Sequence, residues 1–122
     1  MTEIKSPGRY DLEERTQKFA KAVIQFISTL PKTLTNEELS KQVIRSAGSV
    51  GANYIEANEA LSKKDFAMRA KICRKEAKES RYWLELFDIK DEQIERQRHL
   101  LTKEASELTK IFGAIVEKVD KS

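Results

Sequence analysis

Residues 45–58 read RSAGSVGANYIEAN, with two glycines, two serines and two asparagines set among alanines and aliphatic side chains. Three fates are open to such a stretch: a phosphate-cradling loop, a hinge, or a helix built from poor helix formers. A Walker-type loop needs GxxxxGK[ST] and a dinucleotide loop needs GxGxxG after a strand, and this stretch has neither. Its apolar residues decide the matter. Leu39, Val43, Ala47, Val50, Tyr54 and Ala57 recur every three or four residues, which lays one stripe along a helix ending near Ala60. Thr35-Asn36-Glu37-Glu38 sets a threonine three residues before a glutamate, so a capping box is expected to open that helix. Ile44, Gly48, Gly51 and Ile55 form a second line whose middle lacks side chains, a surface that another helix can approach closely. Interior glycines cost about 1 kcal/mol each relative to alanine. Such a helix therefore needs tertiary packing to hold it.

The same periodicity continues on both sides. Leu12, Thr16, Phe19, Val23, Phe26 and Leu30 form a stripe that Pro31 ends, because the residue before proline is pushed out of the helical region. Ser62-Lys63-Lys64-Asp65 is a second capping pattern, and behind it Phe66, Ala70, Cys73, Ala77, Ser80, Leu84 and Phe87 keep heptad spacing. A fourth helix from about Asp91 to Val119 carries Ile94, Leu101, Ala105, Leu108, Phe112, Ile115 and Val119. Four amphipathic helices with short connections predict an all-α, up-down-up-down antiparallel four-helix bundle. Residues 11–122 are expected to form this single domain, and residues 1–10, polar and containing Pro7-Gly8, a loose N-terminal tail.

Composition agrees with a helical chain and narrows the chemistry. Among 122 residues, 39% are hydrophobic and 35% charged, with four glycines and two prolines. One cysteine and one histidine leave no intrachain disulfide and too few ligands for a protein-only metal site, so no cofactor or metal is expected. Cys73 lies in the core stripe, where cysteine behaves as a small hydrophobe. His99 has no serine or carboxylate partner in sequence pattern and reads as a surface or boundary residue. Glu56, Glu59, Glu76, Glu79 and Glu85 lack the ExxH motifs of a di-metal bundle. No enzyme is expected. No apolar run reaches membrane-spanning length and the start MTEIKSPGRY has no apolar signal-peptide core, so a cytoplasmic chain without membrane association is expected.

Charge is uneven along the chain. The formal net charge is only +3, yet residues 63–81 hold eight basic side chains against three acidic ones. On a helical wheel Lys64, Lys71, Lys75 and Lys78 share one sector, and Lys63, Arg74 and Arg81 share the next. Repeated in an oligomer, this face becomes a multivalent surface for the phosphates of RNA or DNA. The alternative is a solvated face that serves solubility alone. Met68, Ile72, Glu79, Trp83 and Leu86 span about 60° on the same helix, well away from the heptad face. Together with Ile44, Gly48, Gly51 and Ile55 they are candidates for a subunit interface, since Trp and Met are enriched at interface centres. A wide core, or an aromatic covered by the tail, is the competing reading.

Gln42, Arg45, Ser46, Ser49, Val50, Asn53, Glu56 and Ala57, then Ser62, Lys63, Asp65 and Phe66, then Glu76, Ala77, Glu79, Tyr82, Trp83 and Leu84, make up a pattern. It resembles that of bacterial four-helix bundle proteins also called 23S rRNA intervening-sequence proteins, over roughly residues 12–118. The resemblance implies an up-down bundle and a homo-oligomer, a ring of five subunits. It also extends to the accessory protein of diversity-generating retroelements, a basic pentamer that binds nucleic acid and a reverse transcriptase; the present chain is less basic. Arg45, Asn53 and Glu56 are expected to tie the glycine-lined helix to its neighbours or to the next subunit. Two functions are consistent with these residues: a non-enzymatic oligomeric bundle that binds RNA or DNA through its third helix, and a scaffold for a protein partner with no nucleic-acid role.

Overall fold

The computed structural model describes the backbone of residues 9–121 and the side chains of residues 12–121. It contains α1 (Arg9–Ser28), α2 (Leu34–Asn58), α3 (Lys63–Glu85) and α4 (Glu92–Lys121). Among the described residues there is no strand, and no helix is long and apolar enough to cross a membrane. Consecutive helices pack side by side and α4 closes against α1, giving the up-down-up-down bundle. Most of the expected tail lies outside the described residues; the backbone of residues 9 and 10 already belongs to α1.

Side-chain hydroxyls and carboxylates set the helix ends. The α1 helix stops two residues short of Leu30, where Thr29 and Leu30 donate back to the carbonyls of Phe26 and Ile27 at 3.0 and 3.1 Å before Pro31. The cap of α2 is Thr33 and not Thr35. Thr33 is the residue with extended backbone, its hydroxyl accepts the Asn36 amide at 3.1 Å, and the Asn36 side chain donates to Pro31 carbonyl at 2.8 Å. A Thr-x-x-Asn turn thus takes the place of the expected capping box. Ser62 caps α3 through the Asp65 amide at 3.0 Å, as its sequence pattern requires. Asp91 caps α4 by accepting from Gln93 and Ile94.

The interior pairs large residues with small ones. α1 and α4 contribute Phe19, Phe26, Leu108 and Phe112, while α2 and α3 contribute Ala47, Ala57, Ala70, Cys73 and Ala77, all buried. The small side chains let α2 and α3 lie close, and these two helices share one of the two most extensive contacts in the bundle. Phe26 meets Phe87 edge-on at 5.6 Å, and Tyr54 meets Phe112 at the same separation. Val116 is buried in the last turns of α4 where the spacing had pointed to Ile115, which is half-buried. Cys73 donates its thiol to the Val50 carbonyl at 3.3 Å, and burial pushes its pKa up to about 12. It is thus a protonated, inert core residue.

Polar ties cross the helix pairs. Ser46 and Ser80 are buried and share a 2.8 Å hydrogen bond between α2 and α3. Arg15 on α1 makes a two-pronged contact with Glu104 at 2.7 and 2.9 Å and reaches Glu107 at 2.8 Å, bridging to α4. Arg98 donates to the carbonyls of Leu84 and Phe87, which neutralises the open end of α3.

Candidate nucleic-acid interface

Capping by Ser62 and burial of the heptad stripe fix the rotation of α3 about its axis, and this rotation decides which lysines face water. Lys63, Lys64, Lys71, Arg74, Lys75, Lys78 and Arg81 are all exposed. Two of them are partly neutralised. Lys75 lies 3.6 Å from Glu76, and Arg81 contacts Glu85 at 3.1 Å and donates to the Ser106 hydroxyl at 2.8 Å. Among the described residues Lys64, Lys71, Arg74 and Lys78 make no ion pair. The aliphatic part of Arg74 runs beside Gly113 of α4. Lys64, Lys71 and Lys78 thus form a row of ammonium groups along one face of α3 that no ion pair neutralises among the described residues. Arg69, the eighth basic residue, is turned away and donates to Asn53 at 2.9 Å.

The candidate interface residues fall on two surfaces. Gly48, Gly51 and Ile55 line a groove of about 580 Å³ between α1 and α2, with Glu13, Glu14 and Gln17 on its far wall. Ile55 is exposed in it, and Ile44, one turn before Gly48 on α2, is exposed as well. Met68, on the other surface, lines a separate groove beside Val119 and Asp120 of α4. Met68 and Leu86 are each nearly half exposed, at 47% and 46%, while Ile72 is half-buried and Trp83 rests partly on the core.

The two glycines of the opening stretch do different things. A Cβ at Gly51 would stand 3.0 Å from the Thr16 hydroxyl, which is held by a 2.6 Å hydrogen bond to Leu12 carbonyl. Gly51 is therefore where α2 meets α1. A Cβ at Gly48 would meet nothing within 4 Å. Gly48→Ala should accordingly stabilise the fold by about 0.5–1 kcal/mol, and Gly51→Ala should lose that gain to the clash and come out about 1 kcal/mol less stable than wild type. Urea unfolding of both variants checks this; equal stabilisation would remove the close contact at Gly51, and a destabilising Gly48→Ala would place another subunit on that surface.

Of the three polar residues expected to tie α2 in place, Asn53 does so within the chain. Its amide donates to the Ser49 carbonyl and hydroxyl at 2.9 Å, and its oxygen accepts from Arg69 of α3. Arg45 and Glu56 are exposed and make no tie among the described residues. Among those residues there is also no cluster of His, Cys, Asp and Glu that could hold a metal ion.

The Asn53–Arg69 tie, the small-residue seam between α2 and α3 and the basic face of α3 all lie inside a stretch of the chain, residues 9–114, that matches the family model described as 23S rRNA-intervening sequence protein. The chain belongs to this family. A solved structure similar to this member of the 23S rRNA-intervening sequence family is a protein of unknown function from the S23 ribosomal protein family of Bacteroides thetaiotaomicron. The two are 32% identical, with 89% of this chain and 97% of that chain covered and a TM-score of 0.71. No curated protein gives a significant match.

Arg69 and Arg15 are residues of this family member whose positions the sequence did not single out. Arg69 was grouped with the other basic residues of α3, although its wheel position, beside the core face, distinguishes it. Arg15 gave no signal, because its partners lie on α4.

Proposed function

We propose that this chain is a non-enzymatic, oligomeric bundle protein of the cytoplasm that binds RNA or DNA, without a cofactor, through the basic face of α3. The observation that carries the proposal is the exposed row Lys64, Lys71, Lys75 and Lys78, flanked by Lys63 and Arg74. Ammonium groups so arranged replace the counterions condensed on a phosphate backbone, and release of those ions drives binding without reading sequence. In an oligomer each subunit repeats the row, so a long nucleic acid engages several at once. The apolar patches support assembly: a head-to-tail ring needs two different surfaces on each subunit, and the groove at Gly48 and the strip at Met68 are two such surfaces. A ring of five follows from the family resemblance.

A salt titration tests the nucleic-acid part. Binding to generic single-stranded RNA and to duplex DNA, followed by fluorescence anisotropy, should fall steeply between about 50 and 200 mM salt. Absence of any complex at the lowest salt would refute it. Light scattering on the same sample should give a mass several times the 14.1 kDa of one chain. The second reading, a protein-interaction scaffold, draws on the exposure of Met68 and Leu86, since exposed apolar strips mark protein contacts. It predicts an oligomer that binds no nucleic acid at any salt.

A further inference from the structure

Tyr82 stands in register with the lysine row and belongs to no part of the core. Lys71, Lys75, Lys78 and Tyr82 follow one another at spacings of four, three and four, which places them in one line on the surface of α3. Lys64, one heptad before Lys71, extends the line to about 27 Å. Tyr82 is 57% exposed, and its ring is held by Trp83, with the ring centroids 5.1 Å apart at 69°. A tyrosine packed edge-on in this way leaves a flat surface exposed at the end of a cationic track.

The charges around the ring give the line a direction. Glu85, three residues after Tyr82, is neutralised by Arg81 at 3.1 Å. Glu79, three residues before Tyr82 and four after Lys75, is exposed along the Met68 edge of the row and repels phosphate there. A strand approaching Tyr82 is thus guided along Lys78, Lys75 and Lys71. Duplex nucleic acid can use the lysines but has no unstacked base to offer the ring. A single strand can use both, since every base has a face that stacks on an aromatic side chain.

Resting on the nucleic-acid reading above, we propose that the site on α3 is specific for single-stranded nucleic acid, with Tyr82 as the residue on which a base stacks and the lysine row as the track for its backbone. The test compares a fluorescein-labelled 20-nucleotide single strand with the matching duplex, at low salt, against the wild-type chain, Tyr82→Ala and Tyr82→Phe. Wild type should favour the single strand. Tyr82→Ala should weaken single-strand binding about ten-fold or more, as expected from losing one stacked base, while changing duplex binding less than about two-fold and leaving the salt slope intact. Tyr82→Phe should bind as wild type does. Fluorescence of Trp83, the only tryptophan, should be quenched on strand binding in wild type and less so in Tyr82→Ala.

Equal losses for strand and duplex, or no loss for either, would overturn the role of Tyr82 while leaving nucleic-acid binding intact. A fall in oligomer mass for Tyr82→Ala with unchanged strand affinity would overturn it too, and assign the ring to a subunit contact. Failure of the wild-type chain to bind any nucleic acid would remove both proposals together. Because Tyr82 lies outside the core, circular dichroism of the variants should match wild type.

Discussion

Reversing Lys71, Lys75 and Lys78 to glutamate is expected to weaken binding to RNA and DNA by at least about a hundred-fold at low salt and to reduce the slope of log affinity against log salt by about three. The three side chains are exposed neighbours on one line of α3. Each glutamate removes one phosphate contact and sets a like charge beside the phosphates that remain. The fold should be unchanged, because none of the three contributes to the core, while a fall in oligomer mass would assign Lys71, which lines the groove at Met68, to the subunit contact. A control with the same change in net charge, glutamate at the exposed Lys18, Lys21 and Lys32, isolates position from total charge. An equal loss in the control would show that only the overall field of the protein matters, and the site on α3 would have to be abandoned.

The largest expected loss of stability comes from Phe112→Ala, at about 3–5 kcal/mol. Phe112 is fully buried in α4 and meets Tyr54 of α2 edge-on at 5.6 Å, so its ring fills space between helices that are not joined in sequence. The core cluster to which it belongs holds many small side chains, among them Ala47, Ala57, Ala77 and Ala105, and these cannot extend into a vacated volume. A cavity remains, and the cost is that of lost burial plus lost contacts. Thermal unfolding should show a midpoint lower by roughly 12–20 °C. A shift of only a few degrees would mean that the bundle collapses around the gap and that the core is not the tightly interlocked one described above.

The stripes made the four helices legible, since a period near 3.6 with small and large residues alternating leaves few other ways to bury the apolar faces. Cys73 and Ser80 were read into the core from spacing alone, and both are fully buried. The start of α2 was not legible, because Thr33 and Thr35 both offer a hydroxyl and a side chain three residues later; the choice was made by the Asn36 contact to Pro31, across a turn that the periodicity does not describe. For the glycines, the line through Ile44, Gly48, Gly51 and Ile55 was visible but its division was not. Only the packing of Thr16 from another helix shows that Gly51 is covered and Gly48 open. At the basic face, charge and spacing located the lysines, whereas the anchoring of Arg81 depends on a hydrogen bond to Ser106 of α4 as well as on Glu85 of its own helix.

The α1 helix shares less surface with α4 than any other adjacent pair of helices shares, and Arg15 with Glu104 and Glu107 is the charged clasp across that seam. Partly exposed ion pairs lose strength as ions accumulate around them. A concentrated electrolyte is thus expected to weaken the seam between α1 and α4 first, while Leu12, Phe19, Val23 and Phe26 keep α1 in the core. Local opening in this bundle would therefore start at the edge of α1 that faces α4, with the Thr16–Gly51 contact to α2 intact.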